Sequence, residues 1–149
     1  MNNNEVISIL NGLVETCVRG EEVFRSAAEN IRNSEFRRLF NIFAQQRAQF
    51  ISELHAEIHR LGGEVPPARS ESITTSGKTV PFTRPSTTAE VRDEASIIAV
   101  CQREEETAVN DYQDALKADL PLDVQYVVKR QYMDIKDAYD RIRILQRAA

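Results

Sequence analysis

Four segments of the chain place apolar residues at alternating steps of three and four, the spacing that keeps one face of an α-helix apolar. The predicted helices cover about residues 4–30, 34–61, 87–118 and 121–148. The stretch between the second and third, residues 62–86, is rich in proline, serine and threonine, and we interpret it as a long loop. The pattern therefore predicts a single all-α domain over residues 1–149.

The ends of the predicted helices carry residues that are typical of helix boundaries. Gly62-Gly63 is expected to end the second helix, because glycine adopts a left-handed conformation at little cost. At the starts, side-chain oxygens can accept from free first-turn amides. The candidates are Asn3 or Asn4, Ser34, and Thr87 with Glu90 at capping-box spacing.

The lengths of the connections predict how the helices are joined. Short connections between the first and second helices and between the third and fourth make each pair antiparallel. A helix of this size is ~40 Å long, and the loop of about 25 residues reaches ~80 Å, so it can run the full length of a bundle. Two antiparallel hairpins joined by a long crossover form the ferritin-like type of four-helix bundle. A simple up-down bundle is the alternative.

Each predicted core stripe is interrupted by one polar residue, and the four interruptions fall at matched positions. They are Glu21, Arg47, Glu105 and Gln131. A buried carboxylate is costly unless it is paired, so we expect these residues to form one polar layer across the bundle.

Two interpretations of this layer compete. Di-metal proteins with a ferritin-like bundle take one Glu from each of two helices and a Glu-x-x-His motif from each of the other two. Glu21 and Glu105 would then be the single carboxylate ligands of iron or manganese. However, the second and fourth helices carry Arg47 and Gln131 at this level and no Glu-x-x-His. We therefore favour a charge-compensated layer without a metal or other cofactor, and keep iron or manganese binding by Glu21 and Glu105 as the alternative.

The two halves of the chain are related by one sequence offset. A shift of 84 residues places Cys17 on Cys101, Glu21 on Glu105 and Arg47 on Gln131. We interpret this match as internal duplication of one helical hairpin.

Composition excludes several classes of function. The formal net charge is −4, which argues against a nucleic-acid partner. No apolar run is long enough for a membrane span, no secretory signal precedes the first helix, and the two cysteines do not make a disulfide scaffold. We therefore expect a cytoplasmic protein with no membrane partner, with Cys17 and Cys101 as small buried residues. No serine–histidine or cysteine–histidine pairing indicates a catalytic site, and no residues indicate a cofactor site.

Several short segments together resemble an uncharacterised bacterial family of ferritin-like four-helix-bundle proteins, and the match covers all four helices. The segments are Phe24-Arg25-Ser26-Ala27-Ala28-Glu29, Arg47-Ala48-Gln49-Phe50, Glu53-Leu54, Leu61-Gly62-Gly63, Cys101-Gln102-Arg103-Glu104-Glu105, Tyr112-Gln113-Asp114-Ala115-Leu116 and Asp140-Arg141-Ile142-Arg143. The resemblance implies a ferritin-like fold and a protein of unknown function, in a family sometimes supposed to be stress-related. It supplies no reaction.

Together these observations predict a non-catalytic helical bundle that acts through its surfaces as a homo-oligomer, with a polar core layer in place of a di-metal site. The alternative hypothesis is a ferritin-like protein that stores or oxidises iron or manganese. The sequence identifies no protein partner.

Overall fold

A computed structural model of the chain describes residues 1–64 and 93–148, and these residues form four α-helices. The helices are α1 Asn3–Asn30, α2 Ser34–Arg60, α3 Glu94–Leu116 and α4 Leu122–Ala148. The predicted bundle is confirmed. Thr87 and Glu90, together with most of the predicted loop 62–86, lie outside the described residues.

Contacts between helices establish the topology as the ferritin-like one. The side chain of Asn3 donates to the backbone oxygen of Leu61, so the end of α2 lies beside the start of α1. The backbone amide of Asn33 donates to Glu94, so α3 begins at the opposite end of the bundle. The end of α2 and the start of α3 are therefore separated by the length of the bundle, and α2 and α3 run parallel. An up-down bundle would require them to be antiparallel, so that alternative is wrong.

Three helices are capped by residues other than the predicted ones. Asn2 caps α1 in a capping box with Glu5, in place of Asn3 or Asn4. The side chain of Asn33 accepts from the amides of α2, so Ser34 is the first helical residue and not the cap. The third helix begins at Glu94, where Asp93 in an extended conformation accepts from the amide of Ala95, and not near Thr87.

The glycine pair ends α2 as predicted. Gly62 has a φ of +91°, its amide donates to the oxygen of His59, and the amide of Gly63 donates to the oxygen of Ile58. These two bonds form a Schellman motif, which satisfies carbonyls that a helix end otherwise leaves unpaired.

The core consists of two apolar clusters, one on each side of the polar layer. One cluster lies where α2 ends and α4 begins, and it includes Leu10, Leu54 and Val124. The other lies near the turn between α1 and α2, and it includes Phe24, Phe40 and Ile98. Within the described residues, no helix is long and apolar enough to span a bilayer.

Candidate functional site: the polar layer in the core

The central contact of the polar layer joins α2 to α3. Arg47 and Glu105 are both fully buried, and their side chains form a direct ion pair. Both lie on the core-facing stripe of their helices, which places them there despite their charge. The Arg47 guanidinium also donates to the side chain of Gln46 at 3.0 Å. A positive charge therefore lies directly beside Glu105, one of the two carboxylates that the alternative interpretation assigns to a metal.

Space for the guanidinium is provided by a glycine and two aromatic rings. The guanidinium carbon of Arg47 lies 5.4 Å from the ring centre of Phe24 and 5.9 Å from that of Phe50, within the range of cation–π attraction. On α1, a Cβ atom added at Gly20 would lie 3.1 Å from Nε of Arg47. Glycine at position 20 therefore leaves room for the arginine, and a larger residue would require Arg47 to shift by a few tenths of an ångström.

Glu21, the other predicted carboxylate, is bound by an arginine at the rim of the layer. Its side chain accepts from Arg25 at 2.9 Å, one turn along α1. Glu21 is buried to 8% exposure, whereas about half of the Arg25 side chain is exposed. The two glutamates thus have different arginine partners.

A second polar network lies beside the ion pair and connects all four helices. Tyr112 on α3 donates its hydroxyl to Oε1 of Gln131 on α4 at 2.7 Å. Sγ of Cys17 on α1 lies 3.2 Å from the same hydroxyl. Since Tyr112 has a single proton and gives it to Gln131, the thiol of Cys17 must be the donor in that contact. The amide nitrogen of Gln131 then donates to α2, at the backbone oxygen of Phe50 and the carboxylate of Glu53.

This network reaches the protein surface at Glu53. Its carboxylate accepts from Gln131 and from Arg130, both at 2.9 Å. Partial burial raises the pKa of Glu53, but the hydrogen bonds from Gln131, Gln49 and Arg130 outweigh it, so the pKa lies below its usual value. Glu53 is therefore an ionised acceptor that fixes the orientation of the Gln131 amide.

Burial is the largest single influence on the pKa values of Glu105, Arg47, Cys17 and Tyr112. Burial raises the pKa of the Glu105 carboxyl, and the neighbouring charge of Arg47 opposes the rise. Burial also lowers the pKa of Arg47, but attraction to Glu105 outweighs this and the net shift is upward, so the guanidinium remains charged. Burial raises the pKa of Cys17 to about 11 and that of Tyr112 well above its usual value.

The side chains of the layer do not fit a di-metal centre. Glu105 is already paired with a cation, Arg47 stands where a carboxylate ligand would be needed, and the position three residues later is Phe50, not histidine. In residues 1–64 and 93–148, no group of three or more histidine, cysteine or acidic side chains is arranged to hold a metal ion. The arrangement can instead neutralise buried charge and orient hydrogen bonds between helices.

Tyr112 and Glu53 belong to the layer although the sequence analysis did not assign them to it. Tyr112 lies seven residues, about two helical turns, after Glu105 on the same core-facing stripe. This position was a signal that its hydroxyl could reach Gln131. Glu53 gave no such signal, because its role depends on the relative height of α2 and α4. Cys17 and Cys101 are buried free thiols, as predicted.

Comparison with known proteins places the chain in a family and fold. Residues 5–118 match the family profile described as a domain of unknown function, DUF2383. A solved two-domain protein from Anabaena variabilis, containing DJ-1/ThiJ/PfpI-like and ferritin-like domains, superimposes with a TM-score of 0.78 at 17% sequence identity. The alignment covers 99% of this chain and 40% of that protein. No curated protein matches the sequence significantly. The chain is thus a member of the DUF2383 family and has a ferritin-like fold.

Proposed function

We propose that this domain is a non-catalytic ferritin-like bundle that acts through its surfaces, and that an ion pair takes the place of a metal centre in its core. The observation that carries the proposal is the direct contact between Arg47 and Glu105, both without solvent exposure. A buried arginine that already compensates a glutamate repels a divalent cation and occupies one of its ligands.

The hydrogen-bond network supports a structural role for the remaining members of the layer. Both polar atoms of the Gln131 amide have partners, on α3 and on α2. Gln131 therefore needs no additional ligand to satisfy it, and its network fixes the relative height of the helices.

Anaerobic titration with Fe²⁺ or Mn²⁺, followed by calorimetry and by metal analysis after gel filtration, tests the proposal. We expect no saturable binding by the wild-type protein. Saturable binding of about two ions per chain, lost in both Glu21→Ala and Glu105→Ala, would overturn it in favour of a metal-storing or metal-oxidising protein. Glu106→Ala is the matched control, since Glu106 is the exposed neighbour of Glu105.

A further inference from the structure

The outer face of α4 carries an apolar stripe that nothing in the described part of the chain covers. Of the six large apolar side chains that are exposed among the described residues, four lie on this helix, at 61% to 83% exposure. We call them the α4 stripe: Leu122, Tyr126, Met133 and Ile144.

These four residues share one line along the helix. At about 100° per residue, they fall within an arc of about 40°. The buried residues of α4, which include Val128, Gln131 and Ile135, lie on the opposite side of the helix. The stripe is therefore a line of exposed apolar residues about 33 Å long, interrupted by Asp140 within the same arc and separate from the face that packs in the bundle.

Three members of the stripe are symmetric about its centre, and the fourth, Tyr126, has Asp140 at its symmetric position. Leu122 and Ile144 each lie eleven residues from Met133. If two α4 helices pack antiparallel with Met133 next to a two-fold axis, Leu122 of each copy meets Ile144 of the other and Met133 meets its own copy. Self-complementarity of this kind is the requirement for an isologous two-fold interface.

The charged residues on one flank of the stripe fit the same arrangement. On one flank, Arg130 and Asp137 lie almost equally far from Met133, so each Arg130 comes level with Asp137 of a second copy. On the other flank, Lys129 comes level with Lys136 of the second copy, a like-charge contact that Asp140 of the second copy, one helical turn further along, offsets in part. Lys129 and Asp137 are exposed. The ion pairs of Asp137 and Asp140 within α4 are surface pairs of low cost to rearrange, whereas Arg130 binds Glu53 of the polar network.

We propose that the α4 stripe is the contact surface for a second copy of this chain, packed antiparallel about a two-fold axis at Met133. This proposal rests on the surface-mediated role proposed above and names a second copy of the chain as the partner. A single helix pair of this length buries less than the ~1,200 Å² typical of tight complexes, so we expect a reversible dimer that forms in the micromolar range.

Sedimentation velocity between about 1 and 500 μM tests the proposal. The wild-type protein should pass from monomer to dimer, and Met133→Glu should remain monomeric, because dimerisation would bring two carboxylates together at the axis. Ile42→Glu is the matched control, since Ile42 is an apolar residue of α2 that is 49% exposed and off the stripe. It should dimerise like the wild type. A wild-type protein that stays monomeric throughout overturns the proposal, and so does a Met133→Glu variant that still dimerises.

Disulfide trapping gives a second test that does not depend on the folding of a charged variant. Under mild oxidation Met133→Cys should form a covalent homodimer, and an equal mixture of Leu122→Cys and Ile144→Cys should form the mixed dimer. Cys17 and Cys101 are buried and contribute little background. Absence of cross-linking, expected if the chain's own residues 65–92 or a different protein covers the stripe, contradicts the proposal. Metal binding by a dimeric protein would instead overturn only the proposed function.

Discussion

Arg47 shows how one buried charge imposes conditions on its neighbours. Its guanidinium is fully buried, paired with Glu105, and placed against the rings of Phe24 and Phe50. Nε of Arg47 and Oε2 of Glu105 have no hydrogen-bond partner in the described structure, so the pair is not bidentate. A buried pair of this kind adds little net stability, but removal of one partner leaves a charge in a medium that cannot solvate it.

Arg47→Ala should therefore lower the free energy of unfolding by about 3–5 kcal/mol, measured in urea at pH 7. The double variant Arg47→Met, Glu105→Leu should recover much of this loss, because no charge then remains buried. Lys117→Ala is the control, since Lys117 and its partner Asp114 are both mostly exposed, and it should cost less than about 1 kcal/mol. Equal losses in the single and double variants would show that lost packing, and not the unpaired charge, is responsible.

The thiol of Cys17 predicts a change of stability with pH. Burial raises its pKa in the folded protein from 9.0 to about 11, so between these values the folded state keeps a proton that the unfolded state has released. Stability must then fall as pH rises through this window. Between pH 8 and pH 10 the wild type should lose about 1.4 kcal/mol more than Cys17→Ala in urea unfolding. Parallel pH curves for the two proteins would contradict the shifted pKa.

At the scale of the helix, the sequence predicts the stripes well and the ends less well. Steps of three and four placed Glu105 and Tyr112 on the core face, because burial of an apolar stripe decides how a helix is oriented. The N-terminal caps were missed by one or more residues, since asparagine, aspartate, serine and threonine can all cap a helix and the sequence places more than one of them near each start. The contact of Gln131 with Glu53 needs the vertical offset between α2 and α4, which periodicity within one helix does not contain.

Two glycines in α1 should respond in opposite ways to the same substitution. A Cβ added at Gly12 would meet nothing within 4 Å, so Gly12→Ala should stabilise the protein by about 0.5–1 kcal/mol through helix propensity. A Cβ at Gly20 would press on Arg47, which Glu105 and the aromatic rings hold in place, so Gly20→Ala should destabilise by about 1 kcal/mol. Urea unfolding of both variants checks this, and stabilisation by both would show that Arg47 can move aside.

At the scale of the whole molecule, the parallel direction of α2 and α3 sets a minimum length for their connection. The 33 residues from 61 to 93 join opposite ends of a bundle about 40 Å long. The loop of about 25 residues inferred from composition was enough to predict this crossover, because helix length and chain reach are both fixed by backbone geometry.

Replacement of residues 65–92 should therefore be tolerated only above a threshold length. A replacement of 16 glycine and serine residues reaches well beyond 40 Å and should keep the helix content in far-UV circular dichroism and a cooperative urea transition. A replacement of four residues leaves a connection of about 30 Å, which cannot cross the bundle. We expect that protein either to lose cooperative unfolding or to exchange hairpins between chains, which makes its unfolding midpoint depend on concentration. An unchanged transition would contradict the topology.

The buried ion pair also affects how easily this domain could change in evolution. Acquisition of the di-iron pattern of carboxylates and histidines would need at least Arg47→Glu, Phe50→His, Gln131→Glu and Asp134→His together. Arg47→Glu alone would leave two buried carboxylates without a cation, and Gln131→Glu alone would remove the amide that donates to Phe50 and Glu53, so each of these first steps would destabilise the protein. A chain with this arginine is thus separated from a di-metal arrangement by a barrier of folding, whatever advantage a metal would confer.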